Sequence, residues 1–368
     1  MDISVLIGNG VDISNGLETS YKNFFDSKIK SNNKPNNLMY DYFKKNDESH
    51  WSDMEKSIGD LSSCYKDEVS KFETDKEELQ NDLLEYLQCQ HTQITENDIE
   101  TKKRNLFFFI NNLNGHITTN EDQQKFGSFV PRWEINDKKN AGDWTVQVNF
   151  ITLNYTDLLE KKLYTQNDNS GGTFVEDTSH LFTRAKIMTP DTVLHPHGTI
   201  EKYMVFGLDN PSQLKNSNKK FAEYSVKGKL ISKSELNDYE EASEDIAMSN
   251  LILVIGASLG ETDDHWIEEI IMQLINNPLS LVIIDSFNND NSPKKSILQT
   301  GKYNATVKEP FKRYFNNANH QSIRDMVQEL EGGFDGILER ILVGNFTKET
   351  SSIVNLNFSK QDTEKKTS

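Results

Sequence analysis

Cysteine is scarce: Cys64 and Cys89 are the only two in 368 residues, and they stand apart. They can make neither a four-cysteine zinc site nor a disulfide framework. Long apolar runs are also missing, and none approaches the roughly 20 residues that span a bilayer. The opening residues carry no basic segment, and their apolar run is broken at once by Gly8, Asn9 and Gly10, unlike a signal peptide. Positive charge is short as well. Forty Lys and Arg stand against 57 Asp and Glu, for a net charge of −17. That field repels phosphate backbones, so a nucleic-acid partner is not expected. These absences predict a soluble cytoplasmic protein that could take a small anionic ligand, but only in a local pocket.

What is present is a strand-and-helix alternation. Ile3 to Ile7 is a short apolar run that suits a strand buried on both faces, and a helix follows from about Val11, interrupted at Gly16. Val148 to Leu153, TVLHPHGTI, YMVFGLDN, Leu251 to Ile255 and LSLVIIDSF read as further strands. Between the first strand and Val148 the chain turns polar and helical, with Leu79, Leu83, Leu84 and Leu87 at helical spacing and KRNLFFFINNL as another helix. QKFGSFVPRWEINDKKNAGDW reads as irregular. Asp209 to Asp245 reads as a charged connection, and the chain beyond Pro310 as helical to about Gly344. The predicted fold is α/β: a Rossmann-like, doubly wound, mainly parallel sheet with a large helical insertion and C-terminal helices. The expected divisions are 1–30 (first strand and helix), 31–145 (helical insertion), 146–300 (rest of the nucleotide-binding core), 301–350 (C-terminal helices) and 351–368 (flexible tail).

In open α/β sheets ligands lie beyond the carboxyl ends of the strands, so the residues there are the candidates. They are Gly8, Asn9, Gly10 and Asp12 after the first strand; Asn154, Tyr155, Thr156 and Asp157 after the second; and His195, His197 and Gly198 in HPHG. Gly256 and Ser258 lie in the GASLG turn, Asp264 follows it, and Asp285 ends the last strand. Each has a plainer reading. Two glycines at a turn often serve backbone geometry alone, although a pyrophosphate at a helix N-terminus needs the same close approach. Asp12 and Asp157 could be acids of a first helical turn. Asp285 could bind ribose hydroxyls or only cap a turn. HPHG is poor material for an ordinary strand end. Imidazoles suit a metal, but no third ligand lies nearby and the H-E-x-x-H pattern is absent, so one working histidine, His197, with His195 as companion fits better.

Taken together, these motifs carry a resemblance. IGNGVDISNGLETSY, which includes Thr19, is similar to the opening of the AbiH abortive-infection family, and HWSDMEKSI to that family's tryptophan-to-glutamate segment at Trp51 and Glu55. FITLNYTDLLE, LHPHG followed by Phe206 and Gly207, and VIGASLGETDDHW resemble its later motifs in the same order, with Val11 where phenylalanine is usual. More remotely the order resembles the sirtuin-like fold. There the glycine turns hold NAD, and an asparagine and a histidine act at the nicotinamide ribose. The resemblance implies that Asn154 orients a ribose hydroxyl or water and that His197 is the general base. Gly8, Asn9, Gly10, Asp12, Thr19, Tyr155, Asp157, His195, Gly198, Gly256, Ser258, Asp264 and Asp285 would then surround the nucleotide. Without the four-cysteine zinc module of sirtuin deacetylases, no zinc is expected, and simple hydrolysis of NAD is favoured over deacylation.

The expected function is therefore an anti-phage effector that hydrolyses NAD. A phage-derived trigger or defence partner and a homo-oligomer are the expected protein contacts. A non-catalytic sensor of NAD or ADP-ribose is the alternative, and a metal-dependent nuclease a third. The acidic charge disfavours the nuclease, and no arginine has a histidine five positions on.

Overall fold

A computed structural model describes residues 1–344 apart from 32–33, 47–52, 99–100, 103–104, 106–108, 111–112, 142–143, 163–174, 177–181, 183–184, 190–191, 217, 235–236 and 286–296. Seven strands form one sheet in the order β3-β4-β2-β1-β5-β6-β7. They are β1 (Asp2–Ile7), β2 (Thr145–Thr152), β3 (Val175–Glu176), β4 (Lys186–Met188), β5 (Leu251–Ile255), β6 (Leu281–Asp285) and β7 (Ile341–Val343). All neighbours pair in parallel except β3, which runs antiparallel to β4 at the edge. From β1 the chain goes to β2 on one side and later returns to β5 on the other. This reversal places a topological switch point beside β1.

The central strands are apolar at nearly every position because helices cover both faces. Val5, Val148, Leu253 and Ile283 join one core, with Phe126 and Trp133 packed against them. Leu6, Ile252, Val254 and Ile284 face the other way, against Trp266, Ile270 and Phe311. The insertion has a third core of its own, built from Phe24, Tyr40, Ile58, Phe72 and Leu83, which Ile200, Met204 and Phe206 also enter. Its longest helix is Val69–His91. The connection from Asp209 to Asp245 holds several short helices, among them Lys227–Ile231 and the start of Asp238–Met248.

Several elements differ from the sequence expectation. TVLHPHGTI and YMVFGLDN form no strand: Leu194 makes one parallel bridge to Ile151, and Leu208 one to Val226. Pro196 has no N–H for a ladder, and the strand beside β2 is the earlier Lys186–Met188. The stretch from Gln124 read as irregular is helical within Asn120–Ala141, although Pro131 lies inside that helix. An interior proline costs about 3 kcal/mol. Burying Phe126, Phe129, Val130 and Trp133 at about 1.5–3 kcal/mol each outweighs it. The C-terminal segment is helical only to Glu339. It then adds β7, whose three residues are fully buried beside β6. Part of KRNLFFFINNL, Trp51 of the tryptophan-to-glutamate segment, and the tail 351–368 lie outside the described residues.

Candidate functional site

The parallel register brings the polar strand ends to one edge. Ile7 lies opposite both Thr152 and Ile255, and Ile255 opposite Asp285, so β2, β1, β5 and β6 end level. Two glycine turns then meet backbone to backbone. The Gly8 amide donates to the Ile255 carbonyl at 2.9 Å, and the Gly10 amide to the Gly256 carbonyl at 2.8 Å. A Cβ on Gly8 would stand 2.4 Å from the Ala257 Cα. Gly256 has φ +68°, and a Cβ there would stand 2.8 Å from the Val11 nitrogen. These glycines are required because only backbone without side chains can approach so closely. The Gly8 and Gly10 amides are thereby used within the fold.

The amides that remain are on the partner turn. Ala257, Ser258 and Leu259 donate no backbone hydrogen bond to any described residue. Ala257 and Leu259 are buried, where an unmet N–H is costly. Successive amides flanked by left-handed residues, here Gly256 and Leu259 with φ +68° and +47°, form a concavity suited to an anion. Asn9 is occupied with Thr19: its Nδ2 donates to the Thr19 carbonyl at 3.1 Å, and the Thr19 hydroxyl donates to its Oδ1 at 2.5 Å.

Beside the glycine turns lies a buried carboxylate centre. Asn154 donates through Nδ2 to Asp12 Oδ1 at 2.9 Å and to the Gly8 carbonyl at 3.3 Å. Thr156 donates its hydroxyl to Asp12 Oδ2 at 2.7 Å. Burial pushes the Asp12 carboxyl up to about 7 against those two hydrogen bonds. Asn154 Oδ1 accepts no hydrogen bond from any described residue, although Asn154 is only 6% exposed. The nitrogen is fixed, and the oxygen has no partner among the described residues.

HPHG grips the same segment. The His195 Nδ1 lies 3.2 Å from the Asn154 carbonyl, and its Nε2 lies 2.7 Å from Glu160 Oε1. Burial acts to lower its pKa, but the Glu160 carboxylate outweighs burial and raises it. Burial, reinforced by the nearby Lys227 charge, holds His197 well below the usual histidine range. A neutral imidazole carries one N–H and one lone pair, so His197 can act as an acceptor across physiological pH. Gly198, at φ +74°, makes the turn possible, since a Cβ there would fall 1.4 Å from the Tyr203 carbonyl oxygen.

Other expected residues are engaged elsewhere. Asp157 is paired outward with His91 at 2.5 Å and Lys161 at 3.2 Å. Asp264 holds Arg313 at 2.9 Å. Asp285 sits two strands from β1 and accepts from the Tyr303 hydroxyl at 2.9 Å. Tyr155 donates to the Val205 carbonyl at 2.9 Å. The structure also joins residues not singled out as site candidates. Lys227, fully enclosed, pairs with Glu55 at 2.8 Å and Asp263 at 3.4 Å and donates to the Thr262 carbonyl at 2.9 Å. The Tyr21 hydroxyl donates to the other Glu55 oxygen at 2.9 Å. Burial works against the Lys227 charge, but Glu55 and Asp263 hold its pKa above the ordinary lysine range. Lys227 lies in SVKGKL among exposed charges, and nothing local marks it as buried. Glu55 and Tyr21 were visible only through the family-like segments around them.

A parallel α/β sheet with its polar residues gathered at the carboxyl edge beside a switch point defines a Rossmann-like protein with a candidate ligand site. The family model described as bacteriophage abortive infection AbiH matches residues 5–285, and the chain belongs to that family. Its role is accordingly in abortive infection against phage. A search of curated proteins returns no match. Among the described residues no group of three or more His, Cys, Asp or Glu side chains is placed to hold a metal, and no helix is long and apolar enough to cross a membrane.

Proposed function

We propose that the protein acts in phage defence by hydrolysing NAD to nicotinamide and ADP-ribose. The observation that carries this reading is the Asn154 amide, tethered through its nitrogen to Asp12 and Gly8 while its oxygen is unmatched. A ribose hydroxyl or the attacking water would donate to that oxygen. The bond from ribose C1′ to the nicotinamide nitrogen breaks, and its electron pair leaves on neutral nicotinamide. Water oxygen bonds to C1′, and the neutral His197 takes the water's proton and passes it to solvent. Asp12, part-ionised near neutral pH, lies where it can offset the positive charge that develops on the sugar. The amides of Ala257, Ser258 and Leu259, which have no partner among the described residues, supply an anion site for the phosphates in a protein whose overall charge repels them. The motif order similar to the sirtuin-like fold supports the same assignment.

The test is to incubate the purified protein with NAD and quantify nicotinamide and ADP-ribose. Asn154→Ala and His197→Ala are each expected to lower turnover by about 10²–10⁴-fold with the fold retained. Unchanged turnover by His197→Ala removes its role as base. Tight binding of NAD without product, with the phage trigger present, would favour a nucleotide sensor instead.

A further inference from the structure

Residues 297–344 lie beyond the family match, yet they reach into the candidate site. Arg313 Nη2, from the helix Glu309–Asn316, donates to the Leu259 carbonyl at 3.0 Å and to Asp264 Oδ1 at 2.9 Å. Leu259 is the one residue of the GASLG turn with a side chain and a positive φ, +47°. That conformation is unfavourable for a residue with a Cβ and persists only where its surroundings hold it. Two things hold it here. The Leu259 side chain is fully buried among the apolar residues of the sheet face, and the Arg313 guanidinium takes its carbonyl. The Leu259 carbonyl shares its peptide plane with the Gly260 N–H, and with the Leu259 side chain also buried, both ends of this left-handed residue are held, which restrains the turn that carries the unmatched amides. Asp264 anchors the guanidinium, and His320 stands 3.9 Å from the other Asp264 oxygen while stacking on Tyr314.

We propose that Arg313 is a positioning residue for the anion site. It holds the turn, with Gly256 and Leu259 left-handed, in the conformation that presents the amides of Ala257, Ser258 and Leu259 to the phosphates of a nucleotide. This makes the C-terminal helices a working part of the site, so that displacing them would weaken nucleotide binding. The role in nucleotide binding rests on the function proposed above; the role in holding the turn does not.

Two measurements on the full-length protein separate these. The first is amide hydrogen exchange over a peptide covering 251–265 without ligand, in wild type, Arg313→Ala and Arg313→Lys. Faster exchange in Arg313→Ala, confined to that peptide and its neighbours, with partial restoration in Arg313→Lys, is the expected result. Exchange equal to wild type overturns the proposal whatever the ligand is. The second is the affinity for ADP-ribose and the kinetics with NAD. Arg313→Ala should bind ADP-ribose about tenfold more weakly, with KM raised and kcat nearly unchanged. Wild-type affinity in Arg313→Ala overturns the positioning role. If exchange responds to Arg313 but wild type binds neither ADP-ribose nor NAD, the turn-holding role stands and the nucleotide reading fails.

Discussion

At the scale of single residues the site is governed by burial. Asp12 is 1% exposed, and burial outweighs the two donors that act to lower its pKa, so its carboxyl sits at about 7 where an unfolded chain would have it near 3.8. A group raised in this way binds its proton more tightly when folded. Its contribution is complete below pH 4 and is lost as pH rises towards 7. Stability should fall by on the order of 1.4 kcal/mol per pH unit across that interval from this residue alone. Urea unfolding between pH 4.5 and 7 should show the slope in wild type and a flatter one in Asp12→Asn. Identical slopes would mean that Asp12 does not titrate there. His197 moves oppositely: burial lowers its pKa, so its protonation should not limit activity between pH 8 and 6.

At the scale of elements, the two glycine turns are a single unit. Each turn forms because a short buried strand ends in glycine, but neither is stable at this spacing without the other. Gly8→Ala places a methyl 2.4 Å from the Ala257 backbone, and the turn after β1 must then leave the turn after β5. The expected cost is on the order of 3 kcal/mol, readable as a lowered thermal midpoint together with lost ligand affinity. Gly127→Ala, with nothing within 4 Å of its added methyl, should change neither by more than about 1 kcal/mol and serves as control.

At the scale of the whole molecule, the Glu55–Lys227 pair joins the helical insertion to the connection that leads back into the sheet. Both side chains are over nine-tenths buried. Removing one partner strands the other charge, so Lys227→Met should destabilise the protein by about 3–5 kcal/mol. The double variant Glu55→Gln with Lys227→Met should recover part of that loss, because the buried Glu55 charge is no longer left alone and only the more exposed Asp263 loses its partner. Denaturant titrations of the two single variants and the double would measure the coupling. Additive losses would show that the pair is not coupled.

Much of the fold was readable in the sequence. Two-sided apolar strands that end in glycine announce a parallel sheet, and their order along the chain places the polar ends at one edge. The readings that failed were of segments whose local signal was overruled by packing. Pro131 reads as a helix breaker, but four buried side chains hold its helix together. Ile341 to Val343 was absorbed into a helical stretch and is a strand because β6 offered an open edge. The site divides in the same way. Asn154, His197 and the glycine turns were singled out from motif order. Whether each acid faces a ligand or a partner was not, since Asp12 meets Asn154, Asp264 meets Arg313 and Asp157 meets His91 across 142, 49 and 66 residues. Period and turn chemistry are local properties that a sequence carries in itself. The partner of a charge, and so its ionisation and its use, depends on which distant residues the folded chain brings within about 3 Å.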